Sequence, residues 1–525
     1  MHVNRITNDY LEARIDPAFY HPKHLHDATK IQRFPTASLD SLRKHDVRLS
    51  YGVLKPKEAR NTQYRMIRIQ DFCDPFVNAN EALGISEKQF NAFRRSECVA
   101  GDIIIAIGGY VGRVAIIPPT ELTLNINQHI ARFRPSPLGY VDTYFLISYL
   151  SCNVGCRQLN RYVSGSVQTG INLEDLRELP IPLIESNAQK YIGNKVRQAE
   201  RLLTEAQRKI QLISDLHASL IPEGGLVGSR KRTRRIIAHT LTDRLDAHFY
   251  PAAVEEYMSR VGGREKLLDA LCEEIRNGNT QPTTDADSVA QATVANLASN
   301  FISGDLRVVE RPSLSRISIR PHDLAICNAA HNKDYIGREI TYCDKAVAGV
   351  FPSTEVMVIR VEREKVPASY VRVFLLTEVG YLQIQSTIRG ITAHSYPSDF
   401  GKIRIPIPTA PPECEEAFLK TDEEMLQAGM FTRASETLIN AAKLLVEALI
   451  EGKITEDEIA MAQAQLEQGD SSGDRLILSR LYDGGIDAIE GKRLFDDLDA
   501  FYELLQEAEA GPTNSANGHN LRGNG

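Results

Sequence analysis

The chain contains a long internal duplication, and this feature limits its possible folds more than any other. Residues 14–20 read RIDPAFY, and residues 244–250 return as RLDAHFY. Further landmarks follow both copies in the same order, at offsets that stay between 221 and 230 residues. A period of this length is far above that of solenoid repeats, so it indicates duplication of a whole domain.

Each copy carries the same series of local patterns. They are an acid that opens an apolar run, a Gly-Arg step, an alternating run, a helical stretch, a Gly-led polar loop and an Ile-Pro ending. In the first copy these are residues 102–106, 112–113, 130–134, 141–162, 165–170 and 179–182, and in the second 323–327, 337–338, 356–360, 370–388, 390–396 and 405–408. Short β-branched runs mixed with helices, without a regular βαβ rhythm, predict two α+β globules.

A long helical pattern follows each copy. Apolar residues recur in steps of three and four from Val196 to Leu220, with His217 in one seam position, and again from Phe431 to Ala448. Heptads of this kind are typical of a coiled-coil seam, and two of them at equivalent places favour pairing with each other. The predicted fold class is therefore α+β: two related α/β domains separated by a long antiparallel coiled-coil helix pair, with a C-terminal helical extension.

Charge is unevenly distributed along the 525 residues. The formal net charge is -7, but residues 1–220 carry +6 and residues 451–525 carry -10. The run 230–235 has five cations in six residues, which fits either a solvated linker or a strap that contacts phosphates. Because the acidic tail would repel DNA, we expect it to pack on a partner subunit.

The remaining composition predicts a cytoplasmic chain with reduced thiols. The eight cysteines are too sparse for a disulfide scaffold. The start lacks the basic and apolar segments of a signal peptide, and no apolar stretch is long enough to cross a membrane.

Taken together, the ordered motifs resemble the specificity subunit of Type I restriction-modification systems. The resemblance covers about residues 10–455 and is carried by residues 14–20, 244–250, 101–105, Gly112, 127–128, 165–171 and 179–183. It implies two target recognition domains that each read one half of a split asymmetric DNA site. It also implies two methyltransferase subunits docked on the helices, a restriction subunit in systems that have one, and S-adenosylmethionine held by the partner rather than by this chain.

The resemblance gives a domain plan and one difference between the copies. The expected segments are recognition domain 1 (1–185), spacer helix 1 (186–222), basic linker (223–240), recognition domain 2 (241–409), spacer helix 2 (410–453), acidic helical extension (454–510) and disordered tail (511–525). Residues 285–305 lack a counterpart of the element at 68–71, and residues 332–336 replace the loop at 108–111. The two domains are therefore expected to read different sequences.

No catalytic or metal site is expected in this chain. An adenine methyltransferase needs an Asn/Asp/Ser-Pro-Pro-aromatic tetrapeptide, and residues 74–76 have one proline too few. Residues 108–112 lead into another strand rather than a helix, so a hairpin turn is favoured over a cofactor loop. Cys152 and Cys156 form a single pair, whereas zinc sites usually show two.

Candidate DNA contacts are loop residues that combine a cation, hydroxyl or amide with local basicity. They are Lys55, Lys57, Arg60, Arg65, Tyr110 and Arg113 in the first copy and His331, Lys333, Tyr335, Arg338 and Arg389 in the second. For any one of them a solvated surface charge is the competing interpretation, and for Gln168, Thr169 and His394 it is turn formation. Two other functions stay open: a protein-interaction scaffold of a defence complex, and an enzyme with diverged motifs.

Overall fold

The computed structural model divides the chain into two compact units. The first unit comprises residues 1–202 together with 434–525, and the second comprises residues 203–433. The structure describes residues 11, 14, 16–52, 56–137, 139–165, 169–222, 241–284, 287–312, 316–408 and 412–510. The predicted basic linker (223–240) and tail (511–525) lie outside these described residues.

Small sheets and short helices build the first unit. Its elements up to the first long helix are α1 (Pro22–Ile31), β1 (Thr36–Ser38), β2 (Ser50–Tyr51), β3 (Tyr64–Ile67), β4 (Phe72–Cys73), β5 (Phe76–Val77), β6 (Leu83–Gly84), α2 (Glu87–Ala92), β7 (Ile103–Ala106), β8 (Val114–Ile116), β9 (Thr123–Ile126), β10 (Ile130–Phe133), α3 (Thr143–Ser151), α4 (Asn153–Arg161), α5 (Leu173–Arg177), β11 (Pro180–Pro182) and the first part of α6 (Ser186–Leu220). The main sheets have the orders β2-β10-β7-β8 and β6-β3-β9, and β1 pairs with β11.

The second unit is built from an equivalent series. After the rest of α6 it contains α7 (Ala252–Val261), β12 (Glu265–Leu267), β13 (Cys272–Asn277), β14 (Ser288–Ala292), β15 (Arg307–Glu310), β16 (Leu324–Cys327), β17 (Ala329–Ala330), β18 (Ile340–Tyr342), β19 (Phe351–Pro352), β20 (Val356–Val361), α8 (Ala368–Leu376), α9 (Glu378–Thr387), β21 (Ala393–His394), α10 (Pro397–Phe400), β22 (Arg404–Pro406) and the first part of α11 (Pro412–Glu451). Its sheets have the orders β13-β20-β16-β18 and β15-β14-β19, and β12 pairs with β22.

The two units share strand order and register, which confirms the predicted duplication and the α+β class. In the first unit Arg132 pairs with Ile104, two residues after Asp102. In the second unit Val358 pairs with Ala325, two residues after Asp323. The central strands β7 and β16 are buried along their whole length, so the apolar runs opened by an acid form the cores of both units.

Each stretch predicted as one helix is two helices with the same break. Cys152 accepts a hydrogen bond from the amide of Gly155 at the start of α4, and Thr377 accepts one from the amide of Gly380 at the start of α9. A Cβ on Gly155 would lie 1.9 Å from the Tyr149 carbonyl oxygen, and one on Gly380 would lie 2.2 Å from that of Phe374. Glycine is therefore required at both breaks, because the chain approaches itself too closely for a side chain.

One expected difference between the copies is wrong. Arg68 and Asp71 frame a short 3-10 turn after β3 through reciprocal hydrogen bonds, and Thr293 and Asn296 frame the same turn after β14. The second copy therefore keeps the element, with a different pair of side chains. The match is invisible in the sequence because what is retained is a hydrogen-bond geometry rather than a residue type.

The long helices α6 and α11 agree closely with the predicted spacer helices. The first unit contains the first part of α6 and the last part of α11, whereas the second unit contains the last part of α6 and the first part of α11. This is the order that an antiparallel pair requires, and within the second unit Lys209 of α6 forms an ion pair with Glu424 of α11. Most predicted seam positions are buried, among them Val196, Ala199, Ala206, Ile213, Leu438, Ala441 and Leu445.

His217 occupies a buried seam position in the second unit. Its Nε2 lies 3.1 Å from the Ser369 hydroxyl, and its ring makes edge-to-face contacts with Tyr370 and Phe418. Burial lowers the pKa of His217 to about 4, and the charge of Asp422 opposes this only in part. The folded unit therefore holds His217 neutral at pH values where an exposed histidine is charged.

We expect acid to weaken the second unit through His217. In the unfolded chain a histidine titrates near pH 6.5, so the unfolded state binds the proton first and stability falls as pH drops below that value. Between pH 7 and 5 the stability advantage of the wild type over His217→Gln should shrink by about 2 kcal/mol. Scanning calorimetry of both proteins at the two pH values checks this. A stability difference between the two proteins that does not change with pH would contradict this prediction.

The C-terminal extension belongs to the first unit and packs on α6. It comprises α12 (Glu456–Glu467), α13 (Ser472–Ser479), the strands β23 (Leu481–Tyr482) and β24 (Gly485–Ile486), and α14 (Leu498–Ala510). Lys195 Nζ of α6 lies 2.6 Å from Asp474, and Lys190 Nζ lies 2.6 Å from Glu467. The extension thus packs on α6 of its own chain, which supplies complementary cations, and its packing on a partner subunit stays a prediction.

Among the described residues, none of the helices is both long enough and apolar enough to cross a membrane.

Candidate nucleic-acid interface

In the first unit, a tight loop and a helix-following loop meet at one end of the central sheet. Residues 107–113 connect the antiparallel strands β7 and β8, and Gly109 and Gly112 have φ angles of 77° and 87°. Gly108 forms a β-bridge with Gly170, which lies beyond the end of α4. The predicted hairpin turn is therefore confirmed, and its tip carries Tyr110 with 75% of its surface exposed.

The second unit joins the equivalent two loops through a pair of short strands. Strand β17, after β16, pairs with β21, which follows α9. Gln385 of α9 donates hydrogen bonds to the carbonyls of Lys333 and Ile336, at 3.1 and 2.7 Å. The exposed tip of this loop carries His331, Lys333 and Tyr335, and Tyr335 is 54% exposed. Both units therefore present an exposed loop that is supported by the segment after the helix pair.

The predicted contacts of the first copy fall into two groups. Lys57, Arg60 and Arg65 lie on the segment that pairs with β6, where Arg65 is opposite Gly84. Tyr110 and Arg113 lie in the hairpin loop, and Lys55 lies outside the described residues. Within the described part of the chain, no hydrogen bond or ion pair of these side chains connects the residues beside β6 with those in the hairpin loop.

Three of the predicted arginines have structural partners. Arg113 donates hydrogen bonds to the carbonyls of Ile69 and Phe72, at 3.3 and 3.1 Å. Arg389 lies 2.5 Å from the buried carboxylate of Asp399. Arg338 lies 3.8 Å from Glu339 and over the ring of Tyr335. Arg113 and Arg389 thus hold the loops in place, which leaves Tyr110, His331, Lys333 and Tyr335 as the least committed side chains at the tips.

A basic groove in the first unit was missed at the sequence level. It measures about 560 Å³, and its lining includes Arg48, Tyr51, Arg94, Arg95, Arg132 and Arg134. These residues lie in or next to β2, in the turn at Arg94–Ser96 and in or next to β10, so the register of the sheet brings them together. The adjacent pair Arg94 and Arg95 and the alternating pair Arg132 and Arg134 were the available sequence signals.

Two sequence comparisons find a similarity to the same kind of protein. Residues 54–213 match the family described as Type I restriction modification DNA specificity domain. A curated relative, the Type I restriction enzyme EcoBI specificity subunit of Escherichia coli, is 26% identical over 177 residues, which are 33% of this chain and 37% of the relative. The match thus spans little more than a third of the relative's length. Both descriptions are of specificity components of Type I systems.

Solved structures with related names are more distant. The S subunit of a Type I restriction-modification system from M. genitalium is 13% identical with a TM-score of 0.36, and the alignment covers 82% of this chain and 96% of that one. The HsdS subunit from Thermoanaerobacter tengcongensis is 16% identical with a TM-score of 0.25, covering 80% and 97%. Both scores are below 0.5, so the resemblance of this chain to specificity subunits is carried by the sequence matches.

Proposed function

We propose that this chain is a DNA-reading specificity subunit of a restriction-modification or phage-defence system, because residues 54–213 match the family described as Type I restriction modification DNA specificity domain. Each unit would read one half of a bipartite, asymmetric duplex target. The observation that carries the proposal is the pair of supported loops, one in each unit, with an exposed tyrosine at each tip. Aromatic and hydroxyl side chains on rigidly held loops suit contacts with bases and phosphates.

The two long helices support the bipartite target. α6 has 35 residues, which at 1.5 Å per residue gives a length of about 52 Å. The major groove of B-DNA returns to the same face about every 34 Å. Helices of this length suit a spacer that lets two readers reach one duplex about one turn apart.

Catalysis would be supplied by partners. We propose that two DNA adenine methyltransferase subunits dock on this chain and hold S-adenosylmethionine, and that a restriction subunit joins in systems that have one. The chain's own part would be to select the site and to position it for the partner.

Sequencing of DNA methylation in cells with and without the gene tests this function. A bipartite methylated motif should disappear on deletion and return when the gene is restored. Replacing residues 331–335 by Gly and Ser should relax or abolish only one half of the motif, because that loop belongs to the second unit alone. An unchanged methylome, with no binding of duplex DNA by the purified chain, would instead favour the protein-interaction scaffold.

A further inference from the structure

The base of the groove in the first unit holds a buried arginine without a carboxylate partner in the described part of the chain. Arg132 is 5% exposed. Its Nη1 donates to the carbonyl of Glu97, and its Nη2 lies within 3.1 Å of the carbonyls of Arg48 and Arg95 and the Ser50 hydroxyl. Among the described residues, its Nε has no hydrogen-bond partner. The hydrogen bonds of this buried cation go to neutral oxygens, and burial lowers the pKa of Arg132, an effect that the nearby charges of Asp102 and Glu97 offset only in part. An anion in the groove would therefore stabilise the cation.

The rim of the groove adds further cations. Arg48 and Arg95 are exposed, and the Arg95 guanidinium lies 5.5 Å from the ring centre of Tyr51. Arg134 is neutralised by Asp102 at 2.6 Å, and Arg94 lies 3.7 Å from Glu97. The lining contains five arginines against only two carboxylates, Asp46 and Glu97, so the groove is positively charged.

The corresponding surface of the second unit is charge-compensated. When the two sheets are aligned by strand register, Val358 is equivalent to Arg132 and Glu274 is equivalent to Arg48. Glu274 lies 3.3 Å from Arg276 and 3.2 Å from Arg360, and Glu273 lies 3.5 Å from Arg320. The two units therefore share this sheet, but in the second unit the arginines of the corresponding surface are paired with glutamates.

The groove is continuous with the hairpin loop of the first unit. Ser50 pairs with Arg132 and Tyr51 with Ala131, and the next residue, Gly52, donates to the carbonyl of Asn127. The turn at Asn127 leads to His129, whose ring lies against Gly108 of the loop. At about 3.3 Å per residue, the three steps from Arg132 to His129 span about 10 Å, which is close to the rise of about three base pairs along the axis of a duplex.

We propose that this groove binds backbone phosphates of duplex DNA beside the bases that the hairpin loop contacts. The second unit lacks the equivalent site, so the first unit supplies the larger part of the salt-dependent affinity. This inference rests on the proposed function and adds to it which unit holds the DNA backbone and through which residues.

The test uses the full-length chain and a fluorescein-labelled duplex of about 40 base pairs, with anisotropy followed from about 0.05 to 0.3 M KCl. The double variant Arg48→Gln/Arg95→Gln removes two rim cations and leaves the buried Arg132 in place. Loss of two phosphate contacts should lower the slope of log affinity against log salt by about 2 and weaken binding at least about tenfold at 0.1 M salt.

Two matched variants separate a local site from general charge. Lys23→Gln/Arg33→Gln removes two exposed cations of the same unit outside the groove, and Arg276→Gln/Arg320→Gln removes two of the second unit. Both should change affinity by less than about twofold, because these cations make none of the proposed phosphate contacts. Equal weakening by all three variants, or none by the groove variant, would overturn the inference while leaving the function intact. If the wild type does not bind the duplex at low salt, the proposed function fails as well.

Discussion

Replacing Asp474 by alanine is expected to release the C-terminal extension from α6. Asp474 is 2% exposed, and it accepts hydrogen bonds from Lys195 and Tyr191, both at 2.6 Å, and from Tyr502. Its removal leaves the ammonium of Lys195 buried without its counter-charge, which costs about 3–5 kcal/mol. Hydrogen exchange of peptides from α12, α13 and α14 should show protection falling by a factor of at least about 100.

An exposed ion pair between the same two segments provides the control. Arg201 lies 3.3 Å from Glu509, and both side chains are more than half exposed. Glu509→Gln should cost less than about 1 kcal/mol, because solvent screens such pairs. The double variant Lys195→Met/Asp474→Leu should lose less than Lys195→Met alone, since it leaves no buried charge. Full protection of the extension in Asp474→Ala would contradict the role given to this carboxylate.

The cluster around Asp474 also makes the packing of the extension on α6 sensitive to low pH. Burial alone would raise the pKa of Asp474, but Lys195, Tyr191 and Tyr502 outweigh it and lower the pKa below its usual value. Stability from this group is therefore present at neutral pH and is lost as pH falls through the lowered pKa.

Replacing Asp399 by asparagine is expected to have the largest effect on the second unit. This fully buried carboxylate lies 3.1 Å from Arg244, 2.5 Å from Arg389 and 3.5 Å from Lys402. The neutral amide would leave the buried Arg244 with only the half-exposed Asp246. We expect a loss of about 3–5 kcal/mol. Because the chain has two units, hydrogen exchange of α8 and α9 is a better measure than a single unfolding midpoint.

The surface pair Arg311 and Asp287, 3.0 Å apart and largely exposed, is the matched comparison for this prediction. Arg311→Gln should leave protection of α8 and α9 within about threefold of the wild type. If α8 and α9 also stayed fully protected from hydrogen exchange in Asp399→Asn, the carboxylate would not be what holds residues 244–246 to the segment after α9.

Patterns that depend on residues close in the chain could be predicted well. Heptad spacing located α6 and α11, and the acid-led apolar runs located β7 and β16. The hairpin turn at 108–112 was predicted because glycines in positive-φ turns leave a direct mark in the sequence. These features are local, so periodicity and turn chemistry suffice to find them.

Features that depend on register or on hydrogen-bond geometry could not be predicted. Arg48, Arg95 and Arg132 are far apart in the chain and meet only because β2 and β10 pair with a particular offset. The turn at 293–296 shares a bonding pattern with 68–71 but not its side chains. The partner of Asp474 was likewise hidden, because Lys195 looks like any other helix cation until its burial is known.

The discontinuity of the first unit has a consequence for synthesis on the ribosome. Its sheets and the first part of α6 emerge early, but the last part of α11 and the extension emerge only after residue 433. The second unit is contiguous in the chain and can finish folding before translation ends, whereas the first must wait for its final helices. Domains usually fold from the N-terminus during translation, so this nascent chain would complete its two units in the reverse of the usual order.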